Sequence, residues 1–524
     1  MPHDKKTLMK GAFILTVAAF ITKILSAVYR IPFQNIVGDV GFYIYQQVYP
    51  FYGISVVLAM YGFPVMISKL IVESTDEKEV QKILQISFQI LMIVGLLLFS
   101  LIFFGSPFIA SKMGDPQLKP LIQVISFTYL FLPFLSVWRG YFQGQGNMVP
   151  TAVSQIVDQT IRVVTIIGLS YLLVARGYSA YTASGGALFG SITGAFAGLL
   201  VLFYFIWLNK GAKCTLIVND FEKIKKIGKL LLLQGTAICI SNMLFILFQF
   251  VDSFNLYSSL VEGNVSDIIA KEWKGVYDRG QPLAQLGIVV SSSLSLTLVP
   301  VVTAASKRGD LQLLHNKVKL ALKVSIIIGA GATIGLINII EPVNTMLFAN
   351  NNGSAVLAVF SISILFSSII LTISGILHGL GHLYAPAKYI GIGLILKLLG
   401  NKFLVPIFFT MGASLATVIS LIFTAILFIR KLQQYVQHRL YPMSFYKNLL
   451  LALTAMTIVL QMWLWAFEPV GRGENTVVAL SAVLVGGVTY LVTILSKKLL
   501  LEDELEQLPL GNTIAHLLRK RINH

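Results

Sequence analysis

Runs of about 20 apolar residues recur from one end of this 524-residue chain to the other. A bilayer is the solvent for such runs, because its hydrocarbon core is about 30 Å thick and takes roughly 20 helical residues to cross. Fourteen candidate spans lie near residues 11–37, 43–68, 83–105, 120–139, 150–175, 181–208, 228–257, 282–305, 318–340, 355–379, 386–408, 411–430, 448–467 and 476–496. They are longer and more continuous than the alternating segments of a transmembrane barrel. Within lipid only helices and closed barrels satisfy every backbone polar group. The expected fold class is all-α integral membrane with about 14 transmembrane helices. The balance of 56% hydrophobic against 12% charged residues excludes a soluble protein with a large core.

A formal charge of +17 would suit nucleic acid, but the placement of the basic residues points elsewhere. The N-terminal tail, every second loop and the C-terminal tail hold about 28 of the 40 Lys and Arg. That is the positive-inside pattern, with both termini cytoplasmic and an even number of spans. The most basic loop, Lys210 to Lys229, reads as a topology determinant beside anionic lipid. The N-terminus carries Lys5, Lys6 and Lys10 before its apolar run, which continues past Lys23 without a small-residue cleavage site. It reads as an uncleaved first span. Cys214 and Cys239 offer no disulfide framework.

The chain repeats itself. Gly140-Tyr141-Phe142-Gln143-Gly144-Gln145-Gly146 follows the fourth span and Gly375-Ile376-Leu377-His378-Gly379-Leu380-Gly381 the tenth, each ahead of a proline, Pro150 or Pro386. Pro64 and Pro300, and Gln46 and Gln281, match at nearly the same offset of about 235 residues. Six spans per copy give both copies one orientation, so they are expected to be parallel repeats about an axis near the membrane normal. The expected lobes cover 11–209 and 226–432, with two further spans over 448–496 and a cytoplasmic amphipathic tail over 500–524. The glycines suit tight turns and close helix packing rather than a phosphate cradle.

Charges at membrane depth cost about 2.5–3.5 kcal/mol each on insertion scales, so they face a partner or a water-filled cavity. Lys23 and Arg30 lie nearly two turns apart in the first span, on one helical face. Lys23 is near mid-membrane and is the stronger candidate for a cavity; Arg30, nearer the outer end, also fits a snorkelling anchor. Gln155, Asp158 and Arg162 share a face of span five, where the i, i+4 spacing allows Asp158 and Arg162 to pair. Span seven carries Gln234, Asn242, Gln249 and Asp252, and Lys397 and Asn401 share a face of span eleven. Tyr277-Asp278-Arg279 leads into span eight, where a guanidinium would suit phosphate oxygens.

No H-E-x-x-H, G-x-S-x-G or Walker A motif is present, and His378 and His382 straddle a glycine turn without an obvious third ligand. An enzyme is not expected, nor a cofactor or metal. Energy for any transport must come from a monovalent ion gradient, the membrane potential or substrate supply.

The basic residue within Ile21-Thr22-Lys23-Ile24-Leu25, the Tyr277-Asp278-Arg279 turn, the two six-helix lobes and the two extra C-terminal helices resemble the MurJ/SpoVB group of polysaccharide-biosynthesis flippases. That group belongs to the multidrug/oligosaccharidyl-lipid/polysaccharide exporter superfamily. The resemblance implies a bacterial cytoplasmic-membrane flippase that moves an undecaprenyl-pyrophosphate-linked sugar, such as lipid II, to the outer leaflet by alternating access. It implies basic cavity residues at the pyrophosphate, with Lys23 and Arg279 at family positions and Arg30 close to a third. The chain lacks family arginines near Ile54, which leaves the glycan open. The full candidate set is Lys23, Arg30, Arg162, Arg279 and Lys397, supported by Gln155, Asp158, Gln249, Asp252 and Asp278. Expected partners are the lipid-linked saccharide, membrane lipid and envelope-synthesis proteins, with no nucleic acid. Two alternatives stay open: a cation-coupled multidrug exporter on the same fold, and a non-transporting scaffold of a cell-wall synthesis complex.

Overall fold

A computed structural model describes residues 5–74, 76–209, 220–296, 299–435 and 441–507. Cys214, the first half of the Lys210–Lys229 loop (210–219) and the tail beyond residue 507 lie outside the described residues. The described residues form helices and connecting turns, with no strand among them. Among the described residues, eleven helical runs are long and apolar enough to cross a membrane.

Two of those runs are far longer than one crossing, at 59 and 50 residues. Each contains a single non-helical break, at Gly38 (φ 71°, ψ −178°) and at Phe409 (φ 52°). The positive φ at position 38 favours glycine, which has no Cβ to clash. These breaks fall at the boundaries expected between spans one and two and between spans eleven and twelve. A third region, expected as one span over 282–305, consists of two shorter helices.

The helices gather into two compact units. The first comprises Met1–Asp278 and Pro386–Ala413. Its helices are α1 (Lys5–Val28), α2 (Arg30–Val57), α3 (Phe63–Val72), α4 (Glu77–Lys112), α5 (Lys119–Ser126), α6 (Leu132–Gly144), α7 (Val149–Ala175), α8 (Ala180–Asn209), α9 (Phe221–Lys229), α10 (Thr236–Asn242), α11 (Leu244–Glu262) and α12 (Asp267–Asp278). The second comprises Arg279–Ala385 and Ser414–His524. It holds α13 (Gly280–Leu296), α14 (Val299–Arg308), α15 (Leu311–Asn338), α16 (Ile340–Phe348), α17 (Ser354–Ser361) and α18 (Ser363–Gly379). The long helix α19 (Tyr384–Gln433) contributes 386–413 to the first unit and its remainder from Ser414 to the second, which also takes α20 (Met443–Ala466) and α21 (Arg472–Ser496).

Helix starts outside the spans are set by aspartates. Asp76, Asp220 and Asp310 each accept a hydrogen bond from the backbone N–H three residues on, at 2.6, 3.2 and 2.9 Å. This satisfies one of the donors that a helix N-terminus leaves unpaired.

In the first unit α2 is the central helix, in contact with α5, α7, α8, α11 and α12. Its face is unusually polar and aromatic for a membrane helix: Tyr43, Tyr45, Gln46, Gln47, Tyr49 and Tyr52 are all buried. Helix α12 lies outside the eleven runs and is pinned against this core. Its Lys271 reaches Asp267 at 2.8 Å and Asp115 at 3.9 Å, and Asp115 also accepts hydrogen bonds from Tyr181 (2.6 Å) and Tyr43 (3.2 Å). In the second unit α15 is central, packed by α13, α14, α17, α18 and α20.

Candidate functional site

Among the described residues, the interior of the first unit holds five buried cations: Arg30, Arg139, Arg162, Lys274 and Lys397. Three are matched to carboxylates. Arg139 on α6 reaches Asp158 on α7 at 3.3 Å, Lys274 pairs with Asp278 at 2.6 Å along α12, and Lys397 on α19 pairs with Asp252 on α11 at 2.7 Å.

The first of these pairs differs from expectation. The i, i+4 spacing along α7 favours Asp158 with Arg162, yet the carboxylate goes to Arg139 from the neighbouring helix. Arg139 Nη2 also donates to Ser154 Oγ (3.1 Å), and its Nη1 donates to the Ala59 carbonyl (3.4 Å) beside a π-helical turn at Leu58–Gly62. Glycines bring the backbones close here: a Cβ at Gly194 of α8 would stand 2.6 Å from the Asp158 carbonyl oxygen and 2.8 Å from the Arg162 Cβ.

Arg162 is left with tyrosines. Its Nη2 donates to the Tyr29 and Tyr45 hydroxyls, each at 2.9 Å, and its Nη1 donates to Gln159 Oε1 at 3.3 Å. The guanidinium carbon lies 4.0 Å from the Tyr52 ring centre and 5.7 Å from that of Tyr49. Arg30 stacks on the same Tyr49, at 4.3 Å. Neither Arg30 nor Arg162 has a carboxylate within 4.0 Å among the described residues, and the Nε of each is buried without a hydrogen-bond acceptor. Ring faces stabilise a cation by about 0.5–2 kcal/mol. They do not neutralise it, so the cluster retains two positive charges. Gln46 adds a buried amide with neither atom hydrogen-bonded.

Lys23, also in this unit, is half-buried and has no hydrogen-bond or ion-pair partner among the described residues. Arg30 is buried, not a snorkelling anchor at the outer end. Gln155 is buried one turn from Asp158, and Gln249 donates to the Gln46 carbonyl at 3.4 Å. Asp252 and Lys397 neutralise each other. Burial raises the Asp278 carboxyl to about 6, against the opposing pull of Lys274. Arg279 belongs to the second unit, where it is buried, donates to Asn344 Oδ1 (3.1 Å) and Asn350 Oδ1 (2.8 Å), and stacks on Phe348 at 5.1 Å.

Arg139, Lys274 and the tyrosines were not among the expected site residues. Tyr45, Tyr49 and Tyr52 follow i, i+4, i+7 spacing within the second span, a one-sided aromatic stripe that could have marked a cation's resting place. Arg139 stands immediately before the first glycine-rich turn and reads there as part of the turn.

A family model described as "polysaccharide biosynthesis protein" matches residues 8–306, more than half of the chain. The chain belongs to this family. It is 42% identical to the uncharacterized membrane protein YabM of Bacillus subtilis (strain 168), over 98% of this chain and 97% of that one. The lipid II flippase MurJ of the same organism is 25% identical, over 92% of this chain and 94% of its own. A solved structure of a lipid II flippase MurJ superposes with a TM-score of 0.70 at 17% identity, covering 92% of this chain and 98% of that one. The fold is shared with that structure and with a solved multidrug resistance MATE family transporter, which superposes with a TM-score of 0.65 at 15% identity over 79% of this chain and 94% of that one. The long apolar helices mark this family member as a multi-pass membrane protein.

Proposed function

We propose that this protein is a flippase for a lipid-linked pyrophosphoryl saccharide, which it carries from the cytoplasmic to the outer leaflet of the bacterial cytoplasmic membrane by alternating access. The observation that carries the reading is the pair of buried guanidiniums, Arg30 and Arg162, that share Tyr49 and have no carboxylate at ion-pair distance among the described residues. Two uncompensated cations at membrane depth are expensive unless an anion completes them. A diphosphate offers several acceptor oxygens for guanidinium forks. The named substrate of the related MurJ, lipid II, is a lipid-linked precursor of this chemical kind.

The sign balance also speaks against a cationic drug as substrate. Asp158 and Asp252, the carboxylates such a substrate would need, are each taken by a cation of the protein itself. Lys23 stands as a further candidate pyrophosphate contact in the first unit and Arg279 as a candidate anion contact of the second unit taken by itself, in fourteen crossings with both termini cytoplasmic and parallel six-helix lobes.

Proteoliposomes loaded with labelled lipid-linked saccharides test this directly. Protein-dependent exposure of the label at the opposite leaflet, lost in Arg162→Ala and reduced in Lys23→Ala, is the expected result. Movement of cationic dyes alone would replace the flippase with an exporter; movement of neither would favour a scaffold.

A further inference from the structure

The Lys397 ammonium stands in an oxygen-lined position. Asp252 Oδ1 is 2.7 Å from Nζ, and the carbonyl oxygen of Ala413 accepts from it at 3.0 Å. One turn from Lys397 on α19, Asn401 donates its Nδ2 to the same Asp252 oxygen at 2.9 Å, which leaves Asn401 Oδ1 fully buried without a hydrogen-bond donor among the described residues. The Tyr277 hydroxyl donates to Asp252 Oδ2 at 2.8 Å and fixes the carboxylate from α12. Lys397, Asn401 and Asp252 are each at most 1% exposed.

Carboxylate and main-chain carbonyl oxygens, the two kinds that meet the Lys397 ammonium, are donors to hard cations. The buried Asn401 amide oxygen one turn along the helix is a third of the same class, with no hydrogen-bond donor of its own among the described residues. Here the cation is covalently attached. We propose that Lys397 is a built-in counter-ion filling an alkali-cation position, so that the wild-type protein has no use for Na⁺ or K⁺ at this place and truncating Lys397 turns it into a monovalent-cation site. The carboxylate of Asp252 must be compensated when buried, and a small cation is the simplest substitute for the lost ammonium. This inference concerns the site alone and does not depend on which substrate is carried.

The test is the thermal unfolding midpoint of the purified full chain in detergent, in NaCl, KCl or choline chloride at equal ionic strength. The wild-type midpoint should be the same in all three. Lys397→Ala should unfold at lower temperature in choline and recover saturably with NaCl or KCl by at least about 2 °C. Adding Asp252→Asn to Lys397→Ala should abolish that recovery. Lys397→Asn, which supplies an oxygen of its own, provides a second variant with the same expected response. A wild-type midpoint that rises with Na⁺ or K⁺ as much as the variants' would overturn the proposal. So would cation-independent midpoints in both variants, or failure of both to accumulate in cells where Asp252→Asn/Lys397→Met accumulates normally.

Discussion

Arg139 Nη2 lies 3.3 Å from Asp158 Oδ2, and this contact between α6 and α7 decides the electrostatics of the whole cluster. It removes from Arg162 the carboxylate one turn away on its own helix. The two helices are joined by the glycine-rich turn after span four, so a feature that looks like a loop signature also sets which charge meets which.

Replacing one partner of that pair should be costly. Arg139→Met leaves Asp158 buried without its main cation, and losing one side of a buried pair typically costs roughly 3–5 kcal/mol. The double variant Arg139→Met/Asp158→Asn, with no charge left to strand, should recover much of the loss. Thermal unfolding of the purified single and double variants measures both. Strictly additive losses would mean that the two residues do not act as a pair.

Arg162 is held by hydroxyls and ring faces, so its contribution should depend on the guanidinium rather than on charge alone. Arg162→Lys keeps the charge and loses the planar fork and most of the stacking. Transport of a lipid-linked saccharide into the opposite leaflet should fall about tenfold or more, the equivalent of one charge-assisted hydrogen bond. Tyr45→Phe removes a single hydroxyl acceptor and should cost less than Arg162→Lys. Equal activity of Arg162→Lys and wild type would mean that this guanidinium does not meet the substrate.

Much of the fold was legible because lipid imposes a single rule, a long apolar helix, and two chain breaks sit where that rule is interrupted. Gly38 follows the first span and Phe409 lies in the short gap between the eleventh and twelfth. The presence of charge in spans one, five, seven and eleven was legible for the same reason: any cation in such a run stands out. Their pairing was not. Local spacing reports only neighbours on one helix, whereas Asp158 finds Arg139 on α6 and Asp252 finds Lys397 on α19, 145 positions away in the sequence. The tyrosines around Arg162 carry a weaker flag, the one-sided spacing of Tyr45, Tyr49 and Tyr52, because an aromatic residue in a membrane span also has an ordinary packing role.

The Lys274–Asp278 pair should impose a pH dependence. Burial holds the Asp278 carboxyl at about 6 in the folded protein, above its ordinary value of 3.8. With a raised folded-state pKa, the stability that Asp278 contributes is fully present below about pH 4 and is lost as pH rises through about 6. The unfolding midpoint of the wild type should therefore fall across that window relative to Lys274→Met/Asp278→Asn, which has nothing to titrate there. Parallel midpoint curves for the two proteins between pH 4 and 7 would contradict the assignment.

The seam between α7 and α8 offers a steric test of how the site is held. At Gly194 an added Cβ would lie 2.6 Å from the Asp158 carbonyl oxygen and 2.9 Å from its Oδ1, contacts that only a shift of the helices can relieve. Overpacking of this kind costs about 1–3 kcal/mol. The displacement would also fall directly on the backbone that carries Asp158 and Arg162. Gly194→Val should therefore lower the unfolding midpoint and transport together. Gly168, on α7 itself, has nothing within 4 Å of its would-be Cβ. Gly168→Ala should be neutral or slightly stabilising, because alanine favours a helix by about 1 kcal/mol over glycine. Unfolding midpoints and vesicle transport measured on both variants distinguish a local clash at the charged seam from a general sensitivity of the helix pair. Equal effects at the two positions would remove the seam as the element that positions Arg162.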